Sequence, residues 1–378
     1  MAAELKRAKV LLLTTELGGG GAERIVYELA THLPPERYEV RVACLAPATG
    51  VYAGKLRERK VPVTGFGATH LTPWRVRRLA RLLREWRPDV LHAHLWHANV
   101  VARRAARRAP VRALVTTVHV AERRWRPWRF AADRATLQPG EVVVCVSEGA
   151  RRFTESRGIA ADRLRVVRNG IDVDRFGEAR PAGPEVFGLD AGARVVLCAG
   201  RLDRQKGQDV LLRAWPKVVG EEPWAHLVLA GEGPTERKLR HLARKLRIRS
   251  SVRFAGFQRD PERLFALAEI VVAPSRWEGF GLVAAEAGAA SKPVVASRVT
   301  GLEEIVLEGE TGHLVPPGDA WALSDALRSL LSAPTHARAM GEAGRARAYS
   351  LFTVERMVAD YAALYEEMLE RGSLLDNR

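Results

Sequence analysis

The stretch Pro274–Ala290, PSRWEGFGLVAAEAGAA, decides the fold of this 378-residue chain. An apolar run, Ile270-Val271-Val272-Ala273, leads into it and predicts a buried strand ending at Pro274. A loop with two glycines follows. Leu282–Ala290, rich in Ala, then predicts a short helix. Two carboxylates stand eight positions apart, Glu278 in the loop and Glu286 in the helix. On one continuous helix they would lie about 12 Å apart along the axis. With Glu278 off the helix, the chain can fold so that both face one crevice. Between them, Gly279, Phe280 and Gly281 can turn backbone N–H groups outward at a helix N-terminus, which suits a phosphate. Strand, glycine loop, helix is where open α/β sheets hold ligands.

Upstream of this stretch the pattern repeats. Arg194–Ala199 predicts a strand ending at Gly200, followed by Arg201-Leu202-Asp203-Arg204-Gln205-Lys206-Gly207 and a helix from Gln208. Two cations between a strand and a helix N-terminus suit an anionic ligand such as a phosphate. Further strands are predicted at Ala225–Ala230, Val252–Phe257 and Lys292–Ala296, and helices at Trp321–Leu331, His336–Tyr349 and Val354–Leu369. Arg371–Arg378 reads as a polar tail.

The first half also alternates strands and helices, which argues for a parallel, doubly wound sheet. Ala8–Thr15 is a strand run followed by Gly18-Gly19-Gly20-Gly21 and a helix over Ala22–Leu33. The glycines let backbone approach a phosphate, but they form neither G-x-G-x-x-G nor a P-loop. His92, His94 and His119 follow strand ends, where a parallel sheet presents its ligand crevice. Asp172-Val173-Asp174 reads as a turn and helix start, and Phe176–Pro184 as a linker.

Taken in order, these motifs resemble the retaining glycosyltransferases of the GT-B fold, family four. The matching segments are Glu278–Glu286 (E-x(7)-E), Gly200–Gly207 (G-R-x-x-x-x-K-G), His92–His94 (H-x-H), Thr117–His119 (T-x-H) and Asn169–Asp172 (N-G-I-D). Gly20-Gly21-Ala22-Glu23-Arg24 is similar to the G-G-A-E-R variant of surface-polysaccharide and glycolipid assembly. The resemblance implies an α/β chain with two Rossmann-like domains, residues 1–175 on the acceptor side and 185–352 for the donor nucleotide, facing across a cleft. Residues 353–378 would form a C-terminal helix returning to the first domain. It implies sugar transfer from a nucleotide-diphosphate sugar with retention, without cofactor or metal. Glu278 and His119 would act on the donor sugar, and Glu286 would bind the ribose. Arg201 and Lys206 would grip the diphosphate, with the backbone of Gly19, Gly20, Gly279, Phe280, Gly281 and Leu282 nearby. His94 would lie on the acceptor side, while His92 and His97 are structural.

The net charge of +16 needs a partner. Between Leu71 and Phe130 stand fifteen arginines, opposed only by Glu85, Asp89 and Glu122, with Trp74, Trp86, Trp96, Trp125 and Trp128 interleaved. This composition points to an anionic membrane surface with Trp at headgroup level, and so to a lipid-held acceptor. A soluble acceptor and a sugar-nucleotide 2-epimerase on the same fold are the alternatives. No nucleic-acid module is recognisable. Cys44, Cys145 and Cys198 lie far apart in apolar runs and read as buried thiols. No apolar run reaches a membrane span and the N-terminal one is too short for a signal peptide. The expected compartment is the reducing cytoplasm, with peripheral attachment to the inner membrane's cytoplasmic face.

Overall fold

In a parallel sheet covered on both faces, strands are apolar along their whole length. Val10–Leu13 and Val271–Val272 show this pattern, each residue at most 1% exposed. The computed structural model describes residues 7–67, 73–120 and 127–376. It divides into two compact units, Met1–Gly170 with Val354–Arg378, and Ile171–Thr353.

In the first unit the strands are β1 (Ala8–Thr14), β2 (Tyr38–Cys44), β3 (Val63–Gly65), β4 (Val90–His94), β5 (Ala113–Val118), β6 (Val142–Cys145) and β7 (Leu164–Val166). They form one parallel sheet in the order β3-β2-β1-β4-β5-β6-β7. The order reverses between β1 and β4, so the glycine turn after β1 and the turn after His94 flank the switch point. The helix Val354–Asp376 belongs to this unit and buries Tyr361 and Tyr365 completely. It therefore continues through the first residues of the segment read as a tail.

The second unit holds β8 (Arg194–Ala199), β9 (Ala225–Ala230), β10 (Val252–Gly256), β11 (Ile270–Ala273), β12 (Val294–Ser297) and β13 (Gly312–Val315). All run parallel, in the order β10-β9-β8-β11-β12-β13. Here the reversal falls between β8 and β11. The loops carrying Arg201–Gly207 and Ser275–Gly281 thus leave adjacent strands at the switch point. Trp215, fully buried, anchors the core and satisfies its indole by donating to Ser251 Oγ (3.0 Å).

Several expectations need correction. Ile171–Phe176, placed at the end of the first domain and the start of the linker, packs into the second unit. Ile171 N donates to Phe352 O (2.8 Å), and Phe176, 1% exposed, meets Phe265 edge-on at 5.2 Å. Asp172 caps the helix Val173–Gly177 by accepting from Arg175 N (3.0 Å). Burying Phe176 moves the boundary from residue 175 to Gly170. The helices Val51–Glu58, Pro127–Thr136 and Pro261–Leu267 were not anticipated.

The Arg/Trp segment is also less exposed than its composition implies. Arg103 is 1% exposed and bonds Glu141 Oε1 (2.7 Å) and Asp133 Oδ1 (2.8 Å). Arg75, Trp86 and Trp96 are buried as well. Trp86 lies in the apolar stripe of Pro73–Trp86 with Val76, Leu79 and Leu83. Arg77, Arg78, Arg81, Arg84, Trp74 and Trp128 remain at the surface. Arg123, Arg124, Trp125 and Arg126 lie outside the described residues.

Candidate functional site

The second unit brings Lys206 and Glu278 together across the β8/β11 switch point. Gly207, in the left-handed region at φ +68°, makes this possible, because a Cβ there would collide with the Pro274 carbonyl. The two loops therefore approach backbone to backbone. Lys206 Nζ donates to Glu278 Oε2 at 2.7 Å, and Ser275 Oγ donates to the same oxygen at 3.2 Å. Burial alone would lower the Lys206 pKa, but the Glu278 charge and hydrogen bond reverse this, leaving the ammonium above its ordinary range. Gln205 Nε2 reaches Trp277 O (3.1 Å).

Arg201 begins the same loop with a side chain 70% exposed, 3.7 Å from Asp203. It is a cation open to a ligand, whereas Lys206 is already committed to a carboxylate. Glu286 is buried in the second turn of the helix Leu282–Ala289. Gly281 precedes that helix at φ +103°, where a Cβ would meet Leu302. The Phe280 side chain packs inward, edge-on to Phe352 at 5.5 Å, so only its backbone is offered to a ligand.

In the first unit, Gly19 and Gly20 are exposed, and Gly20 precedes the helix Gly21–His32. His94 and His119 meet at the ends of β4 and β5, with His94 Nδ1 3.0 Å from His119 Nε2. His94 Nε2 is buried with no hydrogen-bond partner among the described residues. Orphaned N–H groups are rare in protein interiors. The tautomer that avoids one has His94 Nδ1–H donating to His119 Nε2, which leaves the His119 proton on Nδ1. Leu95, directly after His94, sits at φ +74°, a conformation costing about 1–3 kcal/mol that concentrates at functional sites. His92 is structural: its nitrogens lie 2.6 Å from Tyr365 Oη and 2.7 Å from Thr117 Oγ1.

Burial pushes the His119 pKa down to about 3, and burial with neighbouring histidines holds His92 and His94 well below their ordinary value. Unfolded histidine titrates near pH 6.5. Between that pH and about 3, the unfolded chain binds protons that the folded unit refuses. Stability is therefore full above about pH 6.5 and falls with acidification, by up to ~1.4 kcal/mol per pH unit for His119 alone. Melting temperatures between pH 7.5 and 5 should decline, less steeply in a His119→Gln variant. An identical slope in both would remove His119 from the account.

Sequence reasoning missed Ser275, Gln205, Arg276 and Asp209. The last two form a bidentate ion pair at 2.7 Å beside Lys206. Gln205 lies inside Gly200–Gly207, and the other three flank the two motifs, which was the available signal. The three cysteines are buried and free, with thiol pKa values raised to about 11, 11 and 12 by burial. Among the described residues, no helix is long and apolar enough to cross a membrane, and no three His, Cys, Asp or Glu side chains are grouped as metal ligands.

Comparison with known proteins covers both units. Residues 19–175 match the profile described as Glycosyltransferase Family 4, and residues 180–347 match Glycosyl transferases group 1. A glycogen synthase of Mycobacterium tuberculosis is 34% identical over 75% of this chain and 69% of its own length. A GDP-mannose-dependent alpha-(1-6)-phosphatidylinositol monomannoside mannosyltransferase of Mycolicibacterium smegmatis is 37% identical over 64% of this chain and 66% of its own length. The structure of Anabaena HepE in complex with UDP and glucose superposes with a TM-score of 0.84 at 23% identity, covering 95% of this chain and all of HepE. Matched in sequence along both units and in fold along nearly its whole length, this chain belongs to the family-four, group 1 glycosyltransferases and has their GT-B fold.

Proposed function

We propose that the chain transfers a sugar, with retention at the anomeric carbon, from a nucleotide-diphosphate sugar to a lipid-held acceptor at a membrane surface. The observation that carries the donor half is Lys206 beside Glu278 at the β8/β11 switch point, with exposed Arg201 on the same loop. Two cations and the N-terminus of the helix Gln208–Glu221 suit a diphosphate whose charge grows as the bond to the sugar breaks. Glu278 would accept from sugar hydroxyls, Glu286 from the ribose, and His119 would offer a neutral N–H to the donor sugar. The acceptor oxygen attacks the anomeric carbon on the face the leaving group departs from. The bond from that carbon to the phosphate oxygen breaks, and the acceptor's proton passes to the leaving diphosphate. Charge on the leaving group is met by side chains, so the reaction needs no metal or cofactor. The names of relatives support the donor class: HepE holds UDP and glucose, and the M. smegmatis enzyme is GDP-mannose-dependent.

A screen of uridine and guanosine diphosphate sugars by thermal shift, followed by product analysis with EDTA present, tests this reading. A donor at a hundred times its Kd stabilises by about 2.7 kcal/mol. No stabilisation by any donor sinks the proposal. Activity lost to EDTA and restored by Mg²⁺ or Mn²⁺ overturns the metal-free part.

The acceptor rests on the surface of Pro73–Trp86, where Arg77, Arg81 and Arg84 stand exposed at three- and four-residue spacing. Arg81 is partly neutralised by Glu85 at 2.6 Å. Each basic group near an anionic leaflet contributes about 1 kcal/mol. We expect sedimentation with vesicles containing anionic lipid, little with neutral ones, and release by salt. Changing the three arginines to Glu should abolish it and spare donor hydrolysis. The burial of Arg75, Arg103, Trp86 and Trp96 favours the second reading, a soluble acceptor, and failure to sediment at low salt would select it.

A further inference from the structure

We propose that Arg276 and Asp209 form a positioning pair that sets Lys206 for the donor diphosphate, an inference that rests on the donor reading above. Arg276 stands two residues before Glu278, and Asp209 lies in the first turn of the helix Gln208–Glu221. The guanidinium takes both carboxylate oxygens, Nη1 to Oδ1 and Nη2 to Oδ2, each at 2.7 Å. Such a fork fixes orientation as well as distance.

The same residue also holds the backbone immediately ahead of Lys206. Arg276 Nη1 donates to Arg204 O (3.0 Å), and Arg276 N donates to Gln205 O (2.7 Å). A lysine ammonium is a point charge on a flexible four-carbon stem. Its aim depends on how firmly the stem's root is held. Gly207 permits the close approach of the two loops, and the Arg276 contacts pin it at the two residues before the lysine. Asp209 would otherwise place an unpaired negative charge at the helix end offered to an anion. Burial pushes its carboxyl up, but the Arg276 hydrogen bonds and charge more than reverse this, keeping it ionised and paired.

A purely structural pair would hold the loops together without regard to Lys206. The two roles separate in a double-mutant cycle. UDP and GDP are titrated calorimetrically against wild type, Arg276→Gln, Arg276→Lys and Asp209→Asn, each with Lys206 present and with Lys206→Ala. Melting curves accompany each to establish that the variant is folded. With Lys206 present, Arg276→Gln should weaken nucleoside diphosphate binding about tenfold, within the range of coupled neighbours. Arg276→Lys, which cannot fork, should not rescue it, and Asp209→Asn should shift affinity in the same direction. In the Lys206→Ala background, the Arg276→Gln change should cost less than about twofold, because the group it positions is gone. Equal losses in both backgrounds, or no loss in either, overturn the proposal while leaving the donor reading intact. Failure of wild type to bind either nucleotide overturns the donor reading, and the pair's role with it.

Discussion

Replacing Lys206 with alanine should lower kcat/KM for the donor sugar about 10- to 100-fold, the worth of a charge-assisted hydrogen bond of about 1.5–3 kcal/mol. The ammonium is fully charged at neutral pH, because Glu278 more than offsets the effect of burial. In the unliganded chain it is spent on Glu278, 2.7 Å away. A diphosphate must therefore draw it from that carboxylate, and the carboxylate then becomes available to sugar hydroxyls. Glu278→Gln should thus lower turnover while binding bare nucleoside diphosphate at least as tightly as wild type. Initial rates beside calorimetry separate the two effects. Wild-type kinetics in both Lys206→Ala and Arg201→Ala would exclude the diphosphate grip. Weaker nucleotide binding in Glu278→Gln would exclude the exchange of partners.

Arg103→Met should cost the first unit about 3–5 kcal/mol, because it leaves Glu141, buried to the last atom of its side chain, without a counter-charge, held only by Thr116 Oγ1 (2.7 Å) and Gln138 N (3.0 Å). The guanidinium now meets Glu141 Oε1, Asp133 Oδ1 and Asp133 O, and donates to Thr116 Oγ1 at 3.2 Å. A unit of this size loses roughly 2–4 °C of Tm per kcal/mol, so the expected drop is of the order of 10 °C by calorimetry. The double variant Arg103→Met with Glu141→Gln should recover part of it, since an uncharged amide is cheaper to bury than an unpaired carboxylate. A single variant melting within 2 °C of wild type would exclude a buried ion pair of this worth.

Strands were legible because parallel strands are apolar on both faces. Ile270–Ala273 and Arg194–Ala199 stand where their sequence places them. The helix Pro73–Trp86 carries Trp86 in one apolar stripe with Val76, Leu79 and Leu83, a spacing that the reading of Trp86 as a headgroup residue passed over. The burial of Arg103 was not legible. Its partners lie 30 and 38 positions away, so no local spacing reports them. Phe176 was misassigned for the same reason, as Gly, Pro and charge after it outweigh a single aromatic whose partner is Phe265. In the candidate site the motif residues were legible, but not who holds them. The Lys206–Glu278 bond spans 72 positions. Arg276 and Asp209 carry no motif, and only the meeting of two loops gives them a task.

The first unit is assembled from two separated pieces of chain, and vectorial synthesis makes this a matter of timing. When Gly170 leaves the ribosome, the sheet is complete in sequence but lacks the helix that begins at Val354. Tyr361 and Tyr365 are both fully buried there, and Tyr365 supplies the hydroxyl beside His92. At 5–20 residues per second, the intervening 183 residues take roughly 10–40 s to make. During that interval the nascent first unit has an uncovered apolar face, and His92 lacks one of its two hydrogen-bond partners. The second unit, continuous from Ile171 to Thr353, is free to fold in the meantime. The earlier-made half of this enzyme is therefore expected to reach its native state last, and to depend on holdase chaperones until the final helix arrives.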